Sequence, residues 1–163
     1  MEERPKYGLE LRFKKFKGKT VQQVMFKPEG RDYLYWVQSK LNKGEMFDNI
    51  RRIMQKGENI KVKAICSRCK KEIATLLVVQ TRGEDYKYNW LTPDFCCKNC
   101  ASTFSSSSQT IKLLPLKFSS VSNFGEKEEK TLFLEILRYA LFGKLNFAIT
   151  KKRAYEFFKN IDL

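Results

Sequence analysis

Cys66-Ser67-Arg68-Cys69 and Cys97-Lys98-Asn99-Cys100 place four of the chain's five cysteines in two C-x-x-C pairs, with 27 residues between them. A C-x-x-C turn offers two thiolates to one tetrahedral ion at about 2.3 Å, and two such turns reach one point only if the intervening chain folds back on itself. The expected guest is Zn²⁺ held by Cys66, Cys69, Cys97 and Cys100 in a structural role, because four sulfurs leave no coordination position open for chemistry. Cys96 is the spare thiol. A site shared by Cys96 and Cys100 is the alternative, and symmetry with the first pair favours Cys97. Arg68, Lys70, Lys71 and Lys98 stand beside the pairs, where they help keep thiolates ionised and offset the negative charge of a four-sulfur site. No βαβ pattern surrounds either pair, which weighs against a thioredoxin-like redox role.

The rest of the composition narrows the chemistry. The chain has no histidine, so Ser-His and Cys-His nucleophile pairs, His-metal nucleases and mixed Cys/His zinc sites are all excluded. Lys and Arg number 32 against 18 Asp and Glu, a formal charge of +14 that favours polyanionic partners. A hydrophobic fraction of 42% still supplies a core, which rules out wholesale disorder. An odd cysteine count fits reduced thiols better than a disulfide framework, and residues 1–7 carry charge where a secretory leader needs an apolar run. A cytoplasmic protein with no membrane span is the expectation.

Composition divides the chain into three pieces, 1–57, 58–125 and 126–163, and the fold class expected is α+β. In the first piece Thr20 caps a short helix carrying Val21, Val24 and Met25, which Lys27-Pro28 and Gly30 break. A second helix runs from Asp32 to Asn42 with Tyr33, Leu34, Trp36, Val37 and Leu41 as its apolar set, and Gly44 stops it. A third runs from Glu45 to Lys56 and stops at Gly57. The middle piece reads as a small zinc-bound β unit of ribbon or treble-clef type. Ile60, Val62 and Ala64 alternate with polar neighbours, 73–80 is β-rich, Tyr86–Leu91 is a second strand after the 82–85 turn, Ser102–Ser108 is loop, and 111–118 is a strand that Pro115 confines to an edge. The last piece is a helical pair: Glu126–Glu129 open a helix that ends at Gly143, and Thr150 caps another carrying Ala154, Phe157, Phe158 and Ile161.

The positive charge is concentrated near the start. Arg12, Lys14, Lys15, Lys17 and Lys19 lie within eight residues that contain no acid, interleaved with Phe13 and Phe16. Aromatics turned inward would leave the cations along one exposed edge, where each neutralised phosphate releases counterions. This segment, F-K-K-F-K-G-K-T followed by Val24 and Tyr33-Leu34-Tyr35-Trp36, resembles the small C-terminal domain of exodeoxyribonuclease X-type proteins, whose pattern is F-G-K-Y-K-G-K-T, a Val four residues on, and a Y-L-x-W helix. Phe13, Lys15, Lys17, Gly18, Lys19, Thr20, Val24, Tyr33, Leu34 and Trp36 match, Phe16 replaces the Tyr, and Lys14 replaces a Gly. The resemblance covers residues 8–57 and implies an accessory module that touches nucleic acid. The exonuclease activity belongs to a separate acidic domain of that family and is not implied.

Further candidate phosphate contacts are Arg51 and Arg52, Arg68, Lys70 and Lys71, and Lys151, Lys152 and Arg153, the last three at a helix N-terminus whose dipole disfavours cations unless an anion is near. Tyr86, Tyr88 and Trp90 are a weaker candidate stripe for stacking bases. Glu84, Asp85, Lys87 and Asp94 are the only local candidates for a metal-dependent nuclease, and they lack a partner at a telling separation. The expected function is therefore a non-enzymatic, zinc-stabilised protein that binds DNA or RNA through the phosphate backbone. The alternative is an adaptor or small subunit of a nucleoprotein complex, using its C-terminal helices toward other protein subunits.

Overall fold

The computed structural model describes residues 6–13, 15–80, 93–104, 111–144 and 147–163. Its architecture is α+β, with five helices and a three-stranded antiparallel sheet among the described residues. Contacts divide the chain into two units built from separated stretches: Met1–Ile60 with Lys117–Leu134 and Ala148–Leu163, and Lys61–Leu116 with Glu135–Phe147. Composition alone marks three consecutive pieces; chain contacts instead join Lys117–Leu134 to the N-terminal helices.

The first unit begins with a loop closed by a bridge between Glu10 and Thr20, in which the Leu11 N–H donates to the Lys19 carbonyl at 2.9 Å. Thr20 then caps α1 (Val21–Met25) as expected. Its hydroxyl accepts from the Gln23 N–H at 3.3 Å while the Gln23 side chain accepts from the Thr20 N–H at 3.2 Å, a reciprocal capping box. Gly30, expected only to break this helix, is the buried first residue of α2 (Gly30–Leu41). A Cβ there would stand 1.7 Å from the Val24 carbonyl oxygen, so the elbow between α1 and α2 closes only around glycine.

Gly57, expected to stop α3, lies inside it (Glu45–Glu58). Its missing side chain makes room for Met25 and Phe118, whose nearest atoms are 2.7 and 3.3 Å from the Cβ position. Ile50, Ile53, Met54 and Gly57 form the buried face. Residues 118–123, the first of which was expected to end a strand, form a 3₁₀ turn that delivers Phe118 to the core. There Phe26, Phe118 and Phe158 close a ring cluster, with centroids 5.0 Å apart for Phe26–Phe118, 6.0 Å for Phe26–Phe158 and 5.8 Å for Phe118–Phe158. Phe158 arrives on α5 (Lys151–Lys159), whose cap Thr150 accepts from the Arg153 N–H at 3.2 Å. Rather than pairing with the preceding helix, α5 packs on α1 and α3. The preceding helix, α4 (Lys127–Phe142), has Glu128 and Glu129 in its first turn and gives its first part, to Leu134, to this unit.

In the second unit β1 (Leu76–Gln80) is the central strand, flanked by β2 (Asp94–Cys96) and β3 (Ile111–Pro115) in the order β2-β1-β3. Leu76 pairs with Cys96 and Pro115, Leu77 with Phe95 and Leu114, and Val78 with Asp94 and Leu113. One sheet face therefore carries Val78 and Cys96 packed with Phe104, and the other carries Leu77, Phe95 and Leu114, with Tyr139 of α4 stacked on Phe95 at 6.2 Å. Burial on both faces explains why β1 reads as a continuous apolar run. β3 sits at an edge, where Pro115 is tolerated.

The alternation at residues 60–64 does not produce a strand. Val62 is buried and Lys61 and Lys63 are exposed, but the Lys63 and Ala64 N–H groups both donate to the Ala140 carbonyl, at 2.7 and 3.2 Å, near the end of α4. A helix end has unpaired carbonyls of its own, and this segment caps one instead of joining the sheet. β2 was not expected as a strand. The strand expected at Tyr86–Leu91 lies outside the described residues, as does the part of the Ser102–Ser108 loop beyond Phe104, which follows a 3₁₀ turn at Ala101–Phe104.

Candidate metal centre and cationic surface

β1 and β2 run antiparallel, so the segment before β1 and the segment after β2 emerge at the same end of the sheet. Those segments are the two C-x-x-C turns. Ser67 and Phe95 exchange two hydrogen bonds, Ser67 N–H to the Phe95 carbonyl at 2.7 Å and Phe95 N–H to Ser67 Oγ at 3.0 Å, which fixes the first turn against β2. The Lys70 N–H donates to the Cys66 carbonyl at 3.0 Å, with Lys70 in the left-handed region at φ 58°. In the second turn the Cys100 N–H points at Cys97 Sγ, 3.4 Å away, and the Cys100 carbonyl accepts from Thr103 Oγ1 at 2.7 Å. Asn99 Nδ2 donates to both carboxylate oxygens of Glu72, at 2.9 and 3.0 Å, and so ties one turn to the other.

The sulfurs of Cys66, Cys69, Cys97 and Cys100 all lie within 4.8 Å of one another, with Cys69 and Cys97 4.0 Å apart. A tetrahedral ion with bonds of about 2.3 Å sets its ligands about 3.8 Å apart, so the four could hold one metal ion. None of the five cysteines forms a disulfide. Cys96 is not one of the four, since successive side chains of an extended chain point to opposite sides, although its thiol neighbours Cys66. Cys96 turns into the sheet-face cluster with Val78 and Phe104, its thiol donating to the Cys97 carbonyl at 3.1 Å, while Cys97 faces the other three.

Burial pushes the Cys97 thiol up to about 12 and, with the neighbouring Cys66 and Cys97 charges, the Cys96 thiol up to about 11. Burial pushes Cys66 up too, but the backbone N–H groups of Cys69, Cys97 and Arg68 outweigh it and bring that thiol down to about 6. Negative charge is thus favoured on the Cys66 sulfur alone, with Cys97 and Cys100 beside it both pushed up. Among the described residues this is the one group of three or more Cys, Asp or Glu side chains able to hold a metal. Of the nuclease candidates, Asp94 sits half-buried on β2 outside that group, and Glu84, Asp85 and Lys87 lie outside the described residues.

The candidate cations are distributed over both units. In the first, Arg12 and Lys17 are exposed and Lys19 half-buried, and none of the three makes an ion pair among the described residues. Lys15 is paired with Glu29, whose carboxyl the Lys15 ammonium holds below the usual range, and Lys14 lies outside the described residues. Residues 15–19 form a loop, with Phe13 against Trp36 at 6.5 Å and Phe16 against Tyr33 at 4.9 Å.

On α3, Arg51 reaches Asp48 at 3.9 Å and Arg52 is exposed. At the start of α5 the charge mismatch that hinted at phosphate is met by protein groups: Lys151 pairs with Glu10, Lys152 lies 4.0 Å from Glu156, and Arg153 donates to the Ala148 carbonyl at 2.9 Å. In the second unit Arg68 lies over the Phe104 ring at 4.3 Å, while Lys70 and Lys71 are exposed. Along the C-terminal helices Phe133, Leu134, Ile136, Leu137, Ala140, Leu141, Ala154 and Phe158 are buried, while Tyr139 is exposed.

The apolar set expected on α2 is not buried as one face. Leu34 and Val37 are fully buried, whereas Trp36 is 50% exposed and joins Arg12, Phe13, Lys15 and Tyr33 in lining a cleft of about 540 Å³. The signal was present, because Leu34, Val37 and Leu41 alone complete an i, i+3, i+7 stripe and leave Tyr33 and Trp36 on its flank. Among the described residues no helix is long and apolar enough to cross a membrane. Comparison with protein-family models, curated proteins and solved structures returned no match.

Proposed function

We propose that this chain is a non-catalytic nucleic-acid-binding protein whose sheet unit is fixed by a structural Zn²⁺ on Cys66, Cys69, Cys97 and Cys100, and whose basic loop grips phosphates through Arg12, Lys17 and Lys19. Zinc is the metal that an all-thiolate, tetrahedral, histidine-free donor set suits best in a reduced compartment. One observation carries the nucleic-acid part: three cations on one loop without acidic partners among the described residues, in a chain of net charge +14. Unneutralised cations on one surface gain most from displacing the counterions of a polyanion. The resemblance of residues 8–57 to the exodeoxyribonuclease X-type C-terminal domain supports the same reading.

The test is a titration of the purified, metal-loaded chain with labelled DNA and RNA oligonucleotides at two or more salt concentrations. Binding should weaken log-linearly with salt, and Lys17→Glu with Lys19→Glu should lower both affinity and the steepness of that dependence. Indifference to every oligonucleotide at low salt would sink the reading. Elemental analysis of gently purified material should return one zinc per chain.

A further inference from the structure

The cleft in the first unit carries more than a charge argument. Among the described residues its lining consists of two cations, Arg12 and Lys15, and three aromatic rings, Phe13, Tyr33 and Trp36, with Glu29 paired to Lys15. The rings are braced from behind. Phe13 meets Trp36 edge-on, with an interplanar angle of 83° at 6.5 Å; Tyr33 lies beside Trp36 at 5.7 Å with 35° between the planes; and Phe16 holds Tyr33 edge-on at 4.9 Å. Half of Trp36 faces solvent in a molecule that buries its other core aromatics, Phe118, Phe133 and Phe158, almost completely. Tyr35, equally exposed, is engaged elsewhere: Arg31 stacks over its ring at 5.2 Å and donates to its hydroxyl at 3.1 Å.

Resting on the phosphate-binding reading, we infer that this cleft is a stacking site for an unpaired nucleobase, with Trp36 as the platform and Arg12 and Lys15 receiving the adjoining phosphate. The volume, about 540 Å³, lies in the range of small-molecule pockets, and a base has the flat, polarisable face that an exposed indole accepts. Bases within a duplex have both faces covered by their neighbours, so the ligand is a single strand, a loop or a frayed end. Little discrimination among bases is expected, because stacking on a ring face suits every base and the Arg12 and Lys15 donors are directed to phosphate. Lys15 is held by Glu29 in the free protein, and an incoming phosphate takes that carboxylate's place.

A chain carrying Trp90→Phe leaves Trp36 as the only indole, so its fluorescence reports the cleft directly. Titrating it with a single-stranded oligothymidine, the same strand made abasic, and a duplex of equal charge separates stacking from phosphate contact. The expected result is quenching of Trp36 by the intact single strand only, with affinity at least about fivefold above that for the abasic strand. Trp36→Ala should bring the intact strand down to the abasic level without changing the salt dependence, and Trp36→Phe should restore part of the difference. Equal binding of all three ligands with no quenching would overturn the stacking site and leave the phosphate reading standing. Absence of binding to any of them at low salt would overturn both. Because Trp36 is half exposed and Leu34 and Val37 carry the α2 core contact, the variants should fold, and thermal unfolding of each checks that they do.

Discussion

The two units secure themselves by different means. The helical unit closes on interlocking rings, Phe26, Phe118 and Phe158, supported by capped helices and two glycines that let elements approach closely. The sheet unit has strands of five, three and five residues, and its tightest convergence is four sulfurs at one end. Short strands bury little surface each, so under the proposed zinc reading this small sheet would lean on a metal cross-link where a helical core leans on packing. The contrast predicts that metal and aromatic side chains are separately essential, each to its own unit.

The largest expected effect tests this directly. Removing the metal with a chelator, or making Cys97→Ser, should abolish slow hydrogen exchange of the β1 amides while leaving that of α3 in place, since a structural zinc site supplies about 10 kcal/mol or more of folding free energy to its domain. Equal loss in both units would break the comparison. Acid should act in the same direction as the chelator. Burial holds the metal-free Cys97 thiol protonated, near 12, so metal entry must expel a proton, and affinity should rise with pH and fall on acidification. Proton release on metal addition, followed with an indicator dye in weak buffer, checks the sign.

Next in size is Phe118→Ala, which should destabilise the helical unit by about 3–5 kcal/mol in denaturant unfolding and leave metal content unchanged. Thr20→Ala, which removes one half of the capping box, should cost about 1 kcal/mol in the same unit. The smallest effect sharpens the site itself: Cys96→Ala should keep full metal stoichiometry with less than about 1.5 kcal/mol lost, because Cys96 packs against Val78 and Phe104 as a small apolar side chain. Loss of metal in that variant would place Cys96 in the ligand set.

The sequence announced those elements whose cause is local. Thr20 and Thr150 cap helices because a hydroxyl three residues ahead of an orphan N–H is sufficient, and each C-x-x-C turn sets its own two sulfurs side by side because that geometry belongs to the motif, while the pairing of β1 with β2 brings the two turns together. Signals with a distant cause were misread. Gly57 resembles a helix stop, yet it is required where Met25 and Phe118 press on the helix. The alternation around Val62 resembles a strand, yet its hydrogen-bond partner is a helix end some 80 residues away. Trp36 resembles a core residue because tryptophan is apolar, and only the placement of Phe13 and Tyr33 shows which ring remains uncovered. β2 escaped notice because three residues carry too little periodicity to register.

Interleaving of the two units along the chain has a consequence for synthesis. As the polypeptide leaves the ribosome, α1, α2 and α3 emerge first, but Phe118 and Phe158 follow some 60 and 100 residues after α3 ends, and the ring cluster cannot close without them. The nascent helices must therefore wait, apolar faces uncovered, while the whole of the cysteine-bearing sheet is translated in between.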